Sequence, residues 1–533
     1  MRSLVGTRQL VRFILRRERL RLAIWVATLA LVPVGTANAF IELYPSEAER
    51  ERLAATVASN PAMVSFLGPV YDSNVGALTV WRIGTIGSLL VGLMAVLTVI
   101  RNTREEEETG RRELLGSTVL GRYAALTAAL LVVGAAGILV GVLIAAGLIG
   151  VGLPAPGAFA FGAGFAAAAL VFAAAAGVAA QVTEGAGAAR GIAVGYVGFS
   201  FLLRVAGDGG ESAGIGWLSW LSPIGWFTRL RPFAAENWSV GLLFLGWALV
   251  LGAASYWLSS GRDVGAGVIP PRPGPASAAA WLRSPLALGW RLQRPSFIGW
   301  SIGLALVGLV YGSVADGIGD MLEESPQLAA IFEQLGGAAG ITDAFFATAM
   351  GIVALIATAY AIRSVLRLRV EEESLRAEPV LATATPRRRW VGSHLVYAVV
   401  GPVVMLALAG AVAGATYGAI VGDISGEARK VIGAALIQVP AVWVVVGVAV
   451  ILFGLFPRLT SLSWGVLVMS LLLGQLGQIL QFPQWSLDVS PFSHIPRLPS
   501  ADVEVVPLLV LTALAVAMTA IGLRGFQRRD ILS

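Results

Sequence analysis

The stretch REEEETGRRELLGSTVLGR, residues 104–122, carries four consecutive glutamates in a chain that is otherwise strongly apolar. A second stretch, RVEEESLRAEPVLATATPR at residues 369–387, matches it at eight of nineteen positions. The identical pairs are Arg104 with Arg369, Glu106 with Glu371, Glu107 with Glu372, Glu108 with Glu373, Arg111 with Arg376, Glu113 with Glu378, Thr118 with Thr383 and Arg122 with Arg387. Such agreement over a short charged segment indicates an internal repeat.

Further matches at similar spacing extend this repeat along the chain. They pair Arg16, Arg19 and Trp25 with Arg291, Arg294 and Trp300, Ser222 and Pro223 with Ser490 and Pro491, and Arg262 and Asp263 with Arg529 and Asp530. The one obvious linker is rich in proline and ends near residue 275, so the predicted domains are residues 1–275 and 276–533. The sequence therefore predicts a tandem duplication of one unit.

The composition indicates a membrane protein with many spans. Of the 533 residues, 56% are hydrophobic and 13% are charged, and the mean hydropathy of +0.78 is far above that of soluble domains. There is no cysteine and there are only two histidines, His394 and His494, so no metal site is expected. Lys430 is the single lysine, and the abundance of Ala, Gly and Arg is typical of a GC-rich bacterial genome. We expect a protein of a bacterial plasma membrane with no nucleic-acid partner.

Twelve stretches are long and apolar enough to cross a bilayer as α-helices, six in each unit. They cover residues 22–41, 77–100, 123–149, 157–181, 188–206, 238–258, 297–315, 343–363, 391–421, 432–456, 461–480 and 505–524. Arginine is concentrated in alternate loops, which predicts that both termini and both acidic stretches are cytoplasmic. An even number of spans gives both units the same orientation, so they are predicted to be parallel repeats.

Two shorter helices are predicted outside the spans. Arginines alternate with apolar residues before residue 22, which predicts a short amphipathic helix on the cytoplasmic lipid surface before the chain turns into the membrane. In the first external loop, the spacing of Ser46 and Glu49 predicts a capping box at the start of a helix that ends before Pro61.

The acidic run itself has two interpretations. It can be a solvated helix start, where carboxylates favour the positive end of the helix dipole. It can also be a docking helix for a cytoplasmic protein with a basic groove, since Glu106 through Glu113 with Leu114 and Val119 give one acidic and one apolar face. The repetition of the run favours docking, because acidic residues hardly influence membrane topology.

The segment EEEETGRRELL resembles the cytoplasmic coupling helix of ABC type 2 export permeases. The whole chain resembles the fused form of these permeases, with two six-helix units, as in actinobacterial tetronasin-type antibiotic and multidrug exporters. The arginine-rich N-terminus, YPSEAERERLAATVASNPA at 44–62, LSPIGWFTRLRPFA at 221–234 and the closing RRD at 528–530 belong to the same likeness. The second copy departs from the pattern, with Leu375 in place of Gly110 and Pro379 in place of Leu114.

This resemblance implies a permease that exports hydrophobic or amphipathic compounds such as antibiotics and drugs. It implies two copies of a cytoplasmic ABC ATPase that hold ATP and magnesium, with no cofactor on this chain. The ATPase-docking residues that it implies are Glu106, Glu107, Glu108, Arg111 and Glu113, and Glu371, Glu372, Glu373, Arg376 and Glu378. A lipid or glycolipid exporter and a non-ABC membrane assembly protein are the alternatives.

The residues argue against three other classes of energy source or activity. No lysine stands in a glycine-rich nucleotide loop, so the chain is not expected to be an ATPase or another enzyme. The predicted spans carry almost no ionisable residue, which argues against proton coupling. Arg82 and Arg204 fall near outer span ends, where snorkelling or a structural pair explains them. The glycines at 162–167 fit close helix packing better than a dinucleotide loop.

The family resemblance points to the second and fifth helices of each unit as the substrate path. Candidate lining residues are Tyr196, Phe199, Leu203, Phe345, Met350, Trp464, Gln475 and Gln478. The same apolar stripes also fit ordinary helix packing. If they line a cavity, the ligand is hydrophobic or amphipathic, and the two glutamines orient it.

Overall fold

The computed structural model describes residues 2–59, 61–111, 120–211, 214–263, 265–270, 274–323, 337–473, 484–499 and 504–530. Every regular element within these ranges is a helix, which confirms the all-α prediction. The chain divides into two compact units, Met1–Gly274 and Pro275–Ser533. Their boundary lies next to the one predicted from the proline-rich linker.

Eleven helices of the described residues are long and apolar enough to span a membrane. Those of the first unit are Thr7–Leu43, Val75–Asn102, Ala124–Gly150, Ala155–Val182, Ala186–Gly209 and Val240–Ser260. Those of the second unit are Pro285–Glu323, Gly337–Glu373, Arg387–Val421, Ile424–Leu436 continued by Val439–Leu455, and Val505–Arg528. The protein is therefore a multi-pass membrane protein, as predicted.

The twelfth predicted span, at residues 461–480, is only partly described. Its first half forms the ten-residue helix Leu462–Leu471, and its second half lies outside the described residues. A twelfth span thus stays a prediction.

Short helices connect the spans. They are Glu47–Ser59, Pro61–Leu67, Arg104–Glu108 and Pro223–Arg229 in the first unit, and Glu378–Leu381 and Gln484–Leu487 in the second. The capping box is confirmed, because the Ser46 N–H donates to Glu49 at 3.1 Å and the Glu49 N–H donates to Ser46 Oγ at 3.3 Å.

The N-terminal helix differs from the prediction. Thr7–Leu43 is one continuous helix of 37 residues, with no separate amphipathic helix before the span. No glycine or proline interrupts the sequence between Thr7 and Pro33, so nothing breaks the helix where the turn was expected. The arginine-rich part is held instead through Glu18, a buried carboxylate that accepts a 3.0 Å hydrogen bond from Arg101 at the end of the second span.

Small residues bring the third and fourth spans of the first unit into backbone contact. A Cβ atom added to Gly162 would lie 2.2 Å from the carbonyl oxygen of Gly141, and one added to Gly141 would lie 2.4 Å from that of Gly162. Helices in a bilayer associate through such close contacts because lipid provides little hydrophobic driving force between them. The glycines at 162–167 therefore serve helix packing, as the sequence analysis favoured.

We expect opposite effects from the same substitution at two glycines of the first unit. Gly162→Ala forces two backbones apart and should lower the free energy of unfolding by about 1–3 kcal/mol. Gly195→Ala in the fifth span meets no atom within 4 Å and should raise it by about 0.5–1 kcal/mol, because alanine favours the helix. Thermal unfolding of the purified variants in detergent measures both, and a loss of stability in Gly195→Ala that equals the loss in Gly162→Ala would contradict the packing argument.

Candidate functional site

The acidic segment, defined here as residues 104–111, is held to the rest of the first unit through Glu107. This carboxylate receives both terminal nitrogens of Arg262, at 2.9 and 3.0 Å, just after the sixth span. Arg104 donates to it from the same segment at 2.5 Å. The side chains of Glu107 and Arg104 are at most 1% exposed and that of Arg262 is 7% exposed. Burial lowers the pKa of Arg262, and the paired carboxylate offsets the cost of burying the cation.

Glu106 connects the same segment to the first span. Its carboxylate is bonded to Arg17 of the helix Thr7–Leu43 and accepts a 3.2 Å hydrogen bond from Arg111. The residue is buried, with 8% of its surface exposed. The second acidic residue of the run is therefore directed into the unit as well.

Glu105 and Glu108 reach the fifth span. Glu105 accepts a 2.8 Å hydrogen bond from Arg190. Glu108 accepts one of 2.7 Å from the backbone N–H of Ala186, the first residue of the helix Ala186–Gly209. A carboxylate at a helix N-terminus is favoured by the helix dipole. The four glutamates thus bind the first, fifth and sixth spans from one short segment.

The matched residues of the second unit form the same ion pair. Glu372 receives the two terminal nitrogens of Arg529 at 2.6 and 2.7 Å, again just after the last span. The guanidinium of Arg529 also lies over the rings of Phe453 and Phe526, at 5.2 and 5.0 Å. A buried bidentate pair therefore ties the acidic stretch to the end of the last helix in each unit.

A second pair of matched arginines closes the same junction. Arg122 donates to the carbonyl oxygens of Ser259 and Arg262, at 2.8 and 2.7 Å. Arg387 donates to those of Gln527 and Arg529, at 3.3 and 2.8 Å. Cations at these positions satisfy carbonyls at the C-terminal end of the last helix.

Two comparisons with known proteins bear on the family of this chain. A family model described as the C-terminal domain of the multidrug efflux system permease Rv1217c matches residues 282–527. The multidrug efflux system permease protein Rv1217c of Mycobacterium tuberculosis (strain ATCC 25618 / H37Rv) is 44% identical over 528 residues, which cover 99% of this chain and 95% of that protein. The chain belongs to the family of multidrug efflux system permeases. The permease of a drug exporter that the resemblance implied is confirmed.

The acidic stretch of the second unit is built differently from that of the first. In the first unit of the permease the second span ends at Asn102 and a separate short helix begins at Arg104. In the second unit the span runs on to Glu373, so the acidic residues form its last turn. Valine stands at position 370, where the first unit has Glu105. The second acidic stretch therefore lacks the contact that Glu105 makes with Arg190.

The remaining carboxylates of the second stretch pair within their own helix. Glu371 lies 2.7 Å from Arg367, one turn earlier in the helix Gly337–Glu373. Glu373 lies 2.8 Å from Arg369, also one turn earlier. Glu372 is therefore the residue of this acidic run whose ion pair reaches another helix end.

The predicted docking residues fall into two groups in the permease. One group is buried in its own unit and consists of Glu106, Glu107, Glu371 and Glu372. The other is exposed and consists of Glu108, Arg111, Glu373, Arg376 and Glu378. Glu113 lies outside the described residues. A uniformly acidic face was expected, but the four buried glutamates are directed into their own unit. Arginines from other parts of the unit meet Glu106, Glu107 and Glu372 there, and Arg367 of the same helix meets Glu371.

Sequence reasoning missed the inner partners Arg262 and Arg529. It registered both as matching residues of the repeat but assigned them no role. The signal was available, since a carboxylate and an arginine that recur together in both halves are candidates for a pair.

The candidate residues of the substrate path are only partly brought together. Met350 is fully buried in the core of the second unit, and Phe345 packs its ring on Tyr311 at 5.8 Å. Tyr196 packs on Phe172 at 5.8 Å and accepts a 2.8 Å hydrogen bond from Trp247.

Two further candidates, Phe199 and Trp464, are exposed, whereas Leu203 is partly buried. Gln475 and Gln478 lie outside the described residues. The substrate path stays a prediction.

The glycine of the first acidic segment has a strained counterpart in the second unit. Gly110 and Leu375, at matched positions, both adopt left-handed backbone conformations, with φ of 69° and 57°. Leucine in this region clashes with its own backbone at a cost of about 1–2 kcal/mol. The side chain of Leu375 is exposed, so its packing does little to offset this cost.

We expect Leu375→Asn to stabilise the permease by about 1 kcal/mol, because asparagine tolerates this conformation. The unfolding temperature in detergent should rise. Gly110→Ala should lower it, because it introduces the same strain into the first unit. A fall in stability for Leu375→Asn would show that its side chain has a packing role that the exposure does not suggest.

The burial of the Glu107 ion pair predicts that neighbouring glutamates contribute different amounts to the stability of the permease. Glu107→Gln leaves Arg104 and Arg262 without their carboxylate and should cost about 3–5 kcal/mol. Glu105→Gln, whose pair with Arg190 is well exposed, should cost less than about 1 kcal/mol. In the second unit Glu372→Gln and the exposed Glu373→Gln form the matched comparison. The measurement is the unfolding temperature of each variant in detergent. Equal decreases in unfolding temperature for all four variants would show that the buried pairs contribute no more to stability than the exposed ones.

Proposed function

We propose that this permease carries hydrophobic or amphipathic drugs out of a bacterial cell, driven by ATP that separate subunits hydrolyse. The observation that carries the proposal is the 44% identity to a multidrug efflux system permease along 99% of the chain. The eleven apolar helices and the repeated charged junction support it. The finer likeness to tetronasin-type permeases rests on the order of the short motifs quoted above.

The ATPase partner is proposed as two copies, one on each acidic stretch. ATP and magnesium would bind the ATPase, since this chain has no nucleotide loop that could hold them. Docking on the acidic stretches requires that they and both termini face the cytoplasm of a bacterial plasma membrane. The concentration of arginine in the corresponding loops supports that orientation.

We infer that the buried and the exposed acidic residues have different roles in this proposal. The buried glutamates are neutralised by arginines of their own unit and fix the position of the segment. The exposed charges are Glu108 and Arg111 in the first unit and Glu373, Arg376 and Glu378 in the second. A partner can reach them from solvent, although Glu108, Arg111 and Glu373 also make contacts within their own unit. The ATPase contact is therefore expected at these exposed residues.

We expect reversal of exposed glutamates to separate the ATPase from the permease without unfolding it. The variant combines Glu373→Arg and Glu378→Arg, which place cations against the proposed basic groove. Loss of interfacial charge pairs typically weakens binding by about 2–5 kcal/mol, which is at least tenfold. The measurement is co-purification of the cytoplasmic ATPase with the permease from the native host, together with the unfolding temperature of the permease.

Glu51→Arg is the control for this experiment. Glu51 is an exposed glutamate of the helix Glu47–Ser59, which follows the end of the first span remote from Arg17. This variant should retain the ATPase in full. Unchanged recovery of the ATPase with the double variant would refute docking at these residues.

A further inference from the structure

The first unit contains a polar cavity at the end of the fifth span remote from the acidic segment. Its volume is about 250 Å³. We call it the Arg229 cavity. It is lined by Pro69, Tyr71, Asp208, Glu211, Trp220, Arg229, Arg231 and Asn237. None of these residues takes part in the acidic junctions described above.

A buried ion cluster at the Arg229 cavity carries an excess of positive charge. Asp208 lies 2.7 Å from Arg204 and 3.2 Å from Arg229, and it accepts a 2.5 Å hydrogen bond from Ser219. The side chains of Arg204 and Asp208 are 0% and 2% exposed, and that of Arg229 is 12% exposed. Arg229 lines the cavity whereas Arg204 lies outside the lining, and the two guanidinium groups share one carboxylate, so this group of three carries a net positive charge.

Arg231 adds a third cation at the mouth of the cavity. Its guanidinium lies 4.5 Å from the ring centre of Tyr71. Among the described residues no carboxylate lies within 4.0 Å of it. Burial raises the pKa of Tyr71, so its hydroxyl stays protonated and can donate a hydrogen bond. Glu211 is the other acidic residue of the lining. Arg204 pairs with Asp208 from outside the lining, and with it the cluster of three arginines and two carboxylates has a net charge of plus one.

The backbone that presents Arg231 is held in an unusual conformation. Arg231, Phe233 and Ala235 all have positive φ, at 50°, 63° and 56°. Asn74 donates to the Phe233 carbonyl at 2.8 Å and fixes the segment. Non-glycine residues keep such conformations only where surrounding contacts enforce them, and they concentrate at binding sites.

Exposed tryptophans place the cavity at the depth of lipid headgroups. Trp217, Trp220 and Trp238 are 58%, 46% and 52% exposed. They flank the loop that joins the fifth and sixth spans, and Trp220 lines the cavity itself. Tryptophan is enriched where the hydrocarbon of a membrane meets its polar surface.

We propose that the Arg229 cavity binds the phosphate-type anionic group of an amphiphile. The excess positive charge selects an anion, arginine geometry suits phosphate oxygens, and the position at headgroup depth brings the amphiphile's tail into the bilayer. The amphiphile can be a lipid of the membrane or an anionic cargo, and the two share this chemistry. The site goes beyond the proposed export function, because it can be occupied whether or not ATP drives transport.

The second unit is not expected to contain a copy of this site. Carrying the match of Ser222 with Ser490 back along the sequence puts Leu472 opposite Arg204 and Leu476 opposite Asp208. The same match puts Pro499 opposite Arg231. The match also puts Arg497 opposite Arg229, so Arg204, Asp208 and Arg231 are the charged groups of the cavity that the second half lacks.

The test measures binding of two anionic amphiphiles to the full permease. In the lipid arm, the protein in phosphatidylcholine nanodiscs is titrated with phosphatidylglycerol, and bound lipid is counted by native mass spectrometry. In the cargo arm, dodecyl phosphate is added, with neutral dodecyl maltoside as the uncharged amphiphile. We expect wild-type protein to prefer at least one anionic amphiphile over its neutral counterpart by tenfold or more.

The variants assign this preference to the cavity. Arg231→Gln should reduce it at least fivefold, whereas Arg231→Lys, which keeps the charge on the same backbone, should retain most of it. Arg52→Gln changes an exposed arginine of the helix Glu47–Ser59 and should have no effect. A preference for phosphatidylglycerol that depends on Arg231 identifies a lipid site. A preference limited to dodecyl phosphate identifies a cargo-type site. If neither amphiphile is preferred, or if Arg231→Gln binds as wild type does, the proposal is wrong.

Discussion

A carboxylate taken out of water costs several kcal/mol unless a cation meets it, and this constraint governs the acidic stretches of both units. Glu107 and Glu372 are almost fully buried, and each is met by an arginine that follows the last span of its unit. The end of the second span and the end of the last span therefore have to lie side by side. The ion pair closes each unit at the face that carries the acidic run.

These ion pairs give the run of glutamates a structural role within each unit that does not depend on a partner protein. In the first unit three different spans contribute a donor to one short segment. A force on that segment would be distributed over all three. In the second unit the acidic residues continue a spanning helix, and Glu372 alone among them pairs with another helix end. The two units thus offer a partner segments of different connectivity, although their sequences match.

Most of the fold could be predicted because hydropathy is a local property that a window of about twenty residues already reports. Hydropathy does not report the Glu107–Arg262 pair, since the two residues are 155 positions apart, and the signal for it in the sequence is that both residues recur in the second half. Leu375 is a second feature that the sequence alone does not report. The sequence repeat shows that Leu375 replaces Gly110. Only the backbone shows that Leu375 keeps the left-handed conformation of the glycine and is strained by it. For Arg204, a structural pair was one of two options, and Asp208 one turn later settles it.

The unbroken first helix has a mechanical consequence. Its 37 residues make a rod of about 55 Å at about 1.5 Å per residue, whereas the hydrocarbon of a bilayer is about 30 Å thick. Nearly half of the rod therefore projects beyond the lipid, and Arg17 lies on the projecting part. A sideways displacement of Glu106 would therefore be transmitted, through its ion pair with Arg17, to the part of the first helix that lies outside the bilayer.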